Sequence, residues 1–330
     1  MRIGLVGFGL MGQQRAKDIK RMVGRKLVAV HDVDLEKLTQ FQSEYDFEIE
    51  KDLEVLVGRR DIDVIVVAVP HFFTMEVTRK ALKAGKHVLC EKPLGRNTSE
   101  ARAIVNAIDG SSLEPGFNYR FYPGIQLACK LLKEGAVGSV GHIRCVLGHG
   151  GRPGMEKEWK TDKEMCGGGA LLDPGIHGID LCRFLFGEIS QGILWKKNSF
   201  WDLKVEDNAF LLLQTAGGPV ISAHFSISEW KSLFRFEIFG TDGLLTITGR
   251  SRSYGAQRAV LVKRWFWQHN DNQKEWNFPA EDGSFFEELE RFLNQIEGLY
   301  DPDLAKPEDG LRALQIIEKL IASPGEPVIF

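Results

Sequence analysis

Apolar and polar positions change rhythm about a third of the way along the chain. Up to residue 120, short apolar runs alternate with amphipathic stretches. Met1–Val6 predicts a strand, Gly12–Val23 a helix and Lys26–His31 a second strand. A charged amphipathic helix over Leu35–Tyr45 follows. Asp63-Val64-Ile65-Val66-Val67-Ala68-Val69 is a continuous apolar run of the kind found in a sheet covered on both faces. Thr74–Ala84 has helical spacing and stops at Gly85, a residue suited to the position after a helix. His87–Cys90, Ser99–Ile108 and Pro115–Asn118 then predict strand, helix and strand. This alternation predicts a doubly wound parallel sheet whose ligands sit at the carboxyl ends of its strands.

Beyond residue 120 the period shortens. A helix over Pro123–Lys133 leads into a strand over Val140–Leu147, a Gly-rich segment and a helix over Pro174–Phe186. Strand-like runs then follow one another: Ala209–Thr215, Val220–Ile227, Phe234–Phe239, Leu244–Thr248 and Ala259–Trp267. Consecutive strands without helices between them predict a large, mainly antiparallel sheet. Two helices close the chain, one opened by a Ser284/Glu287 capping box and stopped at Gly298, the other opened by Pro307. The chain therefore divides into an α/β domain over 1–120 and an α+β domain over 121–330.

Composition narrows the function classes. With 330 residues, 43% hydrophobic and 26% charged, this is an ordinary globular protein with room for two domains. A net charge of −3 gives no electrostatic case for nucleic acid or an anionic membrane. No stretch reaches the roughly 18 apolar residues of a membrane span. Five cysteines with no CxxC pair read as reduced thiols, so a cytoplasmic location is expected.

The first chemical signal is Gly7-Phe8-Gly9-Leu10-Met11-Gly12, placed after a strand and before a helix. Gly7 permits a tight turn, Gly9 lets a pyrophosphate approach the backbone, and Gly12 allows close helix–strand packing. The helix N-terminus supplies amides and a dipole that favour an anion. Asp32, 20 residues after Gly12 at the end of the second strand, is placed to bond adenosine ribose hydroxyls. Its carboxylate would repel a 2′-phosphate, which favours NAD over NADP, with Lys37 as a partial counterweight.

Two further signals concern proton transfer. Glu91-Lys92-Pro93 puts an amine at the end of a predicted buried strand, where burial and neighbours tune a lysine. The plainer reading of Lys92 is a solvated turn residue. Gly167-Gly168-Gly169 leads to Asp173 and His177, which share a face if the helix begins at Asp173. A carboxylate and an imidazole are acid–base equipment. Asp173-Pro174 is equally the ordinary N-cap and N1 pair of a helix, and His177 alone would be a hydrogen-bonded, partly buried histidine. Asp180 reads as a helix-surface or supporting residue. The spacing of Cys166, Asp173 and His177 matches no standard zinc pattern, so no metal is expected.

Together these residues resemble the Gfo/Idh/MocA family of nicotinamide-dependent oxidoreductases. The resemblance runs through the Gly7–Gly12 loop, Ala68-Val69-Pro70, Ala84–Leu94 with Glu91-Lys92-Pro93, Gly116–Phe121, and Gly167–Asp180. It implies a Rossmann domain followed by an α+β domain with an open sheet. It also implies NAD bound by the Gly7–Gly12 loop, Asp32, Pro70, Glu91 and Lys92. Lys92, Asp173 and His177 would be the catalytic set: His177 taking the hydroxyl proton, Lys92 stabilising the alkoxide, Asp173 orienting them. Arg120 and Trp159 would contact substrate or cofactor, with a solvated salt bridge and ordinary core packing as their plain alternatives. The Gly148–Gly154 loop would lie on the substrate side. One departure is that Thr74 stands where the family often has histidine, while His71 follows Pro70 directly.

The expected activity is NAD-dependent oxidation of a secondary hydroxyl on a sugar, cyclitol or nucleotide sugar, or the reverse. Two alternatives stand beside it: redox-neutral chemistry with transient oxidation, and a catalytically silent dinucleotide sensor. Alternating apolar positions over Ala259–Val262, with Trp265-Phe266-Trp267, suggest a homodimer or homotetramer.

Overall fold

The computed structural model of the chain describes residues 1–264 and 273–330. Its first elements are β1 (Arg2–Val6), α1 (Leu10–Arg21), β2 (Lys26–His31), α2 (Leu35–Tyr45), β3 (Glu48–Ile49), α3 (Leu53–Gly58) and β4 (Val64–Val67). They continue with α4 (His71–Lys83), β5 (His87–Glu91), α5 (Thr98–Val105), β6 (Leu113–Gly116), α6 (Pro123–Lys133), β7 (Val140–Gly148), α7 (Lys163–Cys166) and α8 (Gly175–Phe186). The rest are β8 (Ile189–Lys197), β9 (Asn208–Thr215), β10 (Val220–Ser226), β11 (Leu233–Gly240), β12 (Gly243–Thr248), β13 (Arg258–Lys263) and β14 (Gln273–Asn277). Then come α9 (Ser284–Ile296), α10 (Pro307–Ala322) and β15 (Val328–Ile329). Contacts divide the chain into a first unit of Met1–Asn118, Glu164–Gly167 and Phe285–Gln315, and a second of Tyr119–Lys163, Gly168–Ser284 and Ile316–Phe330.

In the first unit six strands lie in the order β3-β2-β1-β4-β5-β6, every pair parallel. β4 is buried along its whole length, as its unbroken Val-Ile-Val-Val run requires of a strand covered on both faces. The strand order reverses between β1 and β4, so the loops after these two strands face each other at the switch point. α9 belongs to this unit through Arg15 of α1, whose side chain has no exposed surface. Its guanidinium donates to Glu91 (2.8 Å), to the Phe285 carbonyl (2.9 Å) and to Glu288. Burial alone would lower the Arg15 pKa, but the two carboxylates outweigh it and hold the residue charged.

Among the described residues the second unit holds nine strands in the order β14-β13-β12-β11-β7-β10-β9-β8-β15. Every pair is antiparallel except β7 with β10. α8 covers one face of this sheet. Its glycines 175 and 178 lie against the Phe225 ring, where a methyl group would collide, so the helix seats closely. Burying Phe225 in that contact is worth about 1.5–3 kcal/mol. The opposite face leaves Trp195, Phe210, Leu212 and Val220 exposed. No helix among the described residues is long and apolar enough to cross a membrane.

Three local expectations change. β13 ends at Lys263 rather than running to Trp267, and Trp265, Phe266 and Trp267 lie outside the described residues. The Ser284/Glu287 capping box is replaced: Ser284 opens α9, and Asp282 accepts both its N–H (3.0 Å) and its hydroxyl (2.6 Å). Glu287 turns to Arg291 one turn on (2.7 Å). α4 begins at His71, which places Thr74 inside the helix, buried.

Candidate active site

In the first unit the Gly-rich loop leaves β1 with Gly7 at φ 91°, a conformation that favours glycine. A side chain there would strike the Ala68 carbonyl, and one at Gly12 would strike the Gly7 carbonyl. Gly9 differs, because a Cβ built on it meets nothing within 4 Å. Gly9 is also the N-cap of α1. No side chain caps the helix there, and no acidic residue occupies the first turn. An uncapped, acid-free helix start beside open space suits an anion such as a pyrophosphate. Phe8 turns inward, fully buried against Phe41, Tyr45 and Phe47, while Leu10 is largely exposed. The aromatic side chain of Phe8 thus anchors the loop to the core.

Asp32 has two roles inside the protein. One oxygen accepts from the Phe8 N–H (2.5 Å) and the other from the Asp34 N–H (2.8 Å), so the carboxylate is fixed against the loop. Lys37, expected as a counterweight to Asp32, pairs with Asp34 at 3.0 Å. At the next strand end Pro70 caps α4, and His71 is buried with Nδ1 2.8 Å from the Cys166 carbonyl.

Glu91 gives its carboxylate to Arg15, so the side chain before Lys92 points into the α1/α9 contact. Lys92 itself is half-buried and precedes a cis bond to Pro93. The turn that follows is braced by Gly95 N–H on the Pro93 carbonyl (2.7 Å) and by Arg96 on the Glu164 carbonyl (2.5 Å). Cys90, one residue before Glu91, is wholly buried, which pushes its thiol up to about 12.

In the second unit the segment 169–175 is held by Glu206, a residue no sequence pattern flagged. Its side chain accepts from the N–H groups of Gly169 (3.1 Å) and Leu171 (3.2 Å), and its carbonyl accepts from Ala170 (2.9 Å). Asp173 does not cap α8. The helix starts at Gly175 with Pro174 as N-cap and no side-chain cap bond, because the Asp173 N–H returns to Gly169 (2.8 Å) in a preceding turn. The Asp173 carboxylate lies 3.4 Å from Lys160 Nζ, and its charge raises the Lys160 pKa. Trp159, half-buried, shares a short 3-10 turn with Lys160, whose ammonium sits 5.7 Å from the indole centroid.

His177 stands in the first turn of α8, 4% exposed, its ring stacked on Tyr119 with centroids 3.8 Å apart and planes 2° from parallel. Three residues on, Asp180 is buried and not at the helix surface. It receives both Nε (2.8 Å) and Nη2 (2.5 Å) of Arg120. Arg120 is 3% exposed and also lies over Phe184. The solvated salt bridge expected as the plain alternative for Arg120 is instead a buried ion pair, and its guanidinium braces α8. Arg250 lies over the rings of Tyr119 (5.0 Å) and Tyr254 (3.8 Å), beside the Tyr122 hydroxyl. Burial raises the Tyr254 pKa, with Arg250 opposing and Asp173 adding to it. Tyr119, Lys160, Arg250 and Tyr254 were missed in the sequence. Tyr119 falls inside a motif, but nothing in the spacing marks its ring, and residues 250 and 254 reach this place only through the fold. Among the described residues no group of three or more His, Cys, Asp or Glu is placed to hold a metal.

Comparison with known proteins agrees with this arrangement at the level of family. Residues 1–114 match the model of an oxidoreductase family with an NAD-binding Rossmann fold, and residues 125–246 match the GFO/IDH/MocA C-terminal domain. Levoglucosan dehydrogenase of Pseudarthrobacter phenanthrenivorans is 31% identical over 296 residues, 76% of this chain and 74% of that protein. The 2,7-anhydro-N-acetylneuraminate hydratase of Mediterraneibacter gnavus is 28% identical over 304 residues, 85% of this chain and 77% of that protein. A solved levoglucosan dehydrogenase in complex with NADH superposes with a TM-score of 0.85 at 23% identity, covering 100% of this chain and 98% of that one. The chain belongs to the GFO/IDH/MocA family of oxidoreductases, with an NAD-binding Rossmann fold in its N-terminal part.

Proposed function

We propose that this enzyme is an NAD-dependent dehydrogenase that oxidises a secondary hydroxyl of a sugar, cyclitol or nucleotide sugar, or reduces the corresponding ketone. The observation that carries the reading is His177: an interior imidazole, held flat against Tyr119, on a helix pinned by a buried ion pair. A base used for proton abstraction needs a fixed ring plane, and these contacts supply one.

NAD, when bound, supplies the hydride acceptor. The Gly7–Gly12 loop fits its pyrophosphate through the open space at Gly9 and the uncapped α1 terminus. Asp32, fixed by two backbone N–H groups, presents a carboxylate that disfavours a 2′-phosphate, and Lys37 is spent on Asp34. This favours NAD over NADP. His177 takes the hydroxyl proton. Lys92 stabilises the alkoxide, and Asp173, kept company by Lys160, orients the pair. Pro70 and the loop backbone line the cofactor side, Glu91 acts by setting the direction of Lys92, and Trp159 walls the substrate. Arg120 works through Asp180 by positioning α8.

Absorbance at the reduced-nicotinamide band, over a panel of sugars and cyclitols, tests the reading. Lys92→Met and His177→Asn should each lower kcat by at least about 100-fold with NAD affinity retained. Wild-type turnover in Lys92→Met would remove that residue from the mechanism.

A redox-neutral reading has its own support, since a hydratase is among the relatives. Its mark is a product formed with no net change in nicotinamide absorbance. We also infer a homodimer or homotetramer, supported by Trp195, Phe210, Leu212 and Val220 exposed on one face of the large sheet. Light scattering checks this, and a monomer at high concentration would refute it. A cytoplasmic location fits five cysteines that form no disulfide.

A further inference from the structure

The Gly148–Gly154 loop leads to a feature that the proposed chemistry does not use. Two aromatic side chains, Phe200 and Trp230, stand out from the second unit at 65% and 95% exposure. They come from different connections, β8 to β9 and β10 to β11, yet their ring centroids lie 6.3 Å apart, with planes at 65°. Leaving a whole indole in water forgoes burial worth a few kcal/mol, so a floppy loop would be the expected carrier. The observed carrier is instead tied down by hydrogen bonds. Asp207, with no exposed surface, accepts from the backbone N–H groups of Ser199 (2.8 Å), Phe200 (2.8 Å) and Trp201 (3.0 Å), and from Asn208 (2.9 Å). Burial works against this carboxylate, but the donors outweigh it and hold its pKa down. Asn198 closes the same loop on the carbonyls of Leu203 (2.7 Å) and Val205 (3.0 Å).

Beneath Phe200, Trp201 donates its indole N–H to the Ile227 carbonyl (2.8 Å) and packs with Met155, Ala170 and Ile227. Ala170 lies three residues before Asp173, and Met155 four before Trp159. The second connection is tied to the same place: the Glu229 N–H donates to the His149 carbonyl (3.1 Å), and the His149 N–H to the Ser226 carbonyl (3.0 Å). The two exposed rings are therefore fixed, through one small core, to the loops that carry the proposed substrate residues of this unit.

We propose that Phe200 and Trp230 form an outer subsite that stacks on a second pyranose ring, so that the substrate is a glycoside of at least two rings. The proposal rests on the sugar dehydrogenase reading and extends it. A pyranose offers one face of C–H groups, which an aromatic face accepts, and a rim of hydroxyls, which needs polar neighbours. Both requirements are present. The residues flanking the two rings in sequence are polar: Lys197, Asn198, Asp202, Lys204 and Lys231 are exposed, and Glu229 is half-buried. The same polarity argues against a protein occupant. Two rings offer a few hundred Å² at most, whereas a stable partner interface buries about 800 Å² on each side around an apolar centre. Fixing the loop before binding removes the ordering cost that a weak stacking contact could not meet.

The test titrates cellobiose, maltose and gentiobiose, with glucose as the single-ring control, into the NAD-loaded enzyme while following tryptophan fluorescence. At least one disaccharide should bind about tenfold more tightly than glucose, and Trp230→Ala and Phe200→Ala should each erase most of that difference. Glucose affinity and melting temperature should stay unchanged. Equal affinity for one and two rings in the wild type would overturn the proposal, as would a Trp230→Ala variant that keeps the disaccharide preference. A change in the assembled mass of Trp230→Ala by light scattering would also overturn it, by showing the rings to be an interface between copies. Repeating the titration with His177→Asn separates the two readings. Disaccharide binding that depends on Trp230, without turnover of any sugar by the wild type, keeps the subsite and removes the dehydrogenase.

Discussion

Replacing Arg120 by methionine tests the idea that this arginine holds α8 and does not touch substrate. The Arg120–Asp180 pair is buried on both sides, 3% and 0% exposed, with two bonds of 2.8 and 2.5 Å. A buried ion pair contributes little net stability, because desolvating both charges offsets their attraction. Removing one partner strands the other, at about 3–5 kcal/mol. Arg120→Met should therefore cost about 3–5 kcal/mol, a fall of the order of 10 °C in the transition that reports on the second unit. The double variant Arg120→Met/Asp180→Leu leaves no stranded charge and should regain most of that loss. Differential scanning calorimetry measures both effects. Steady-state kinetics then separates the roles. A brace under α8 predicts that kcat falls in the single variant, as His177 loses its seat, and recovers in the double. A substrate contact predicts a raised KM with no change in stability, and no recovery. A loss below about 1 kcal/mol in Arg120→Met would refute the buried-pair argument outright.

Three further outcomes follow from the geometry. Gly9→Ala should fold with an unchanged melting temperature yet lose at least about tenfold in NAD affinity, because its methyl enters only the open space at the helix start. Gly12→Ala, which meets the Gly7 carbonyl, should lose about 1–3 kcal/mol of stability; calorimetry and NAD titration distinguish the two. Burial holds both His87 and His224 below the ordinary imidazole value. An unfolded chain then takes up these protons first, so stability present above about pH 6.5 should be lost as pH falls toward the folded values. Urea midpoints between about pH 7 and pH 5 should fall less steeply in His87→Gln/His224→Gln, and an unaltered slope would dismiss both histidines. Cys90, its thiol pushed up to about 12 by burial, should resist iodoacetamide in the native enzyme and react after unfolding, as peptide mapping would show.

The parallel sheet was legible because its signals are local: unbroken apolar runs for β4 and β5, and glycines at the turns that end β1 and α4. Of the strands described in the second unit, β7 and β9 to β13 were legible one by one, but β8, β14 and β15 were not, nor was the strand order. β7 pairs in parallel with β10 across two intervening helices and two strands, and nothing in either segment records that choice. The Asp173-Pro174 dipeptide has the local statistics of a helix cap. The turn anchored by Glu206 overrides them and leaves the carboxylate to Lys160. Arg15 sits on α1 where a charged residue would ordinarily face water. Its burial became visible only once α9 was in place. Tyr119 and Arg250 are 131 residues apart and meet around His177 through tertiary structure alone.

Arg15 and Glu288 are separated by 273 residues of chain. A ribosome releases the Gly-rich loop and all six parallel strands early, but the carboxylate that completes the Arg15 site emerges near the end of translation. The first unit therefore closes only after the Tyr119–Lys163 and Gly168–Ser284 parts of the second have been synthesised, and the nascent sheet must wait with a half-satisfied cation in its α1 flank. The same threading sets the rule for engineering. A fragment cut at Asn118 keeps every strand of the parallel sheet yet strands Arg15 on Glu91 alone. A transplantable NAD-binding module from this enzyme must carry Phe285–Gln315 as well, supplied by a linker or by circular permutation.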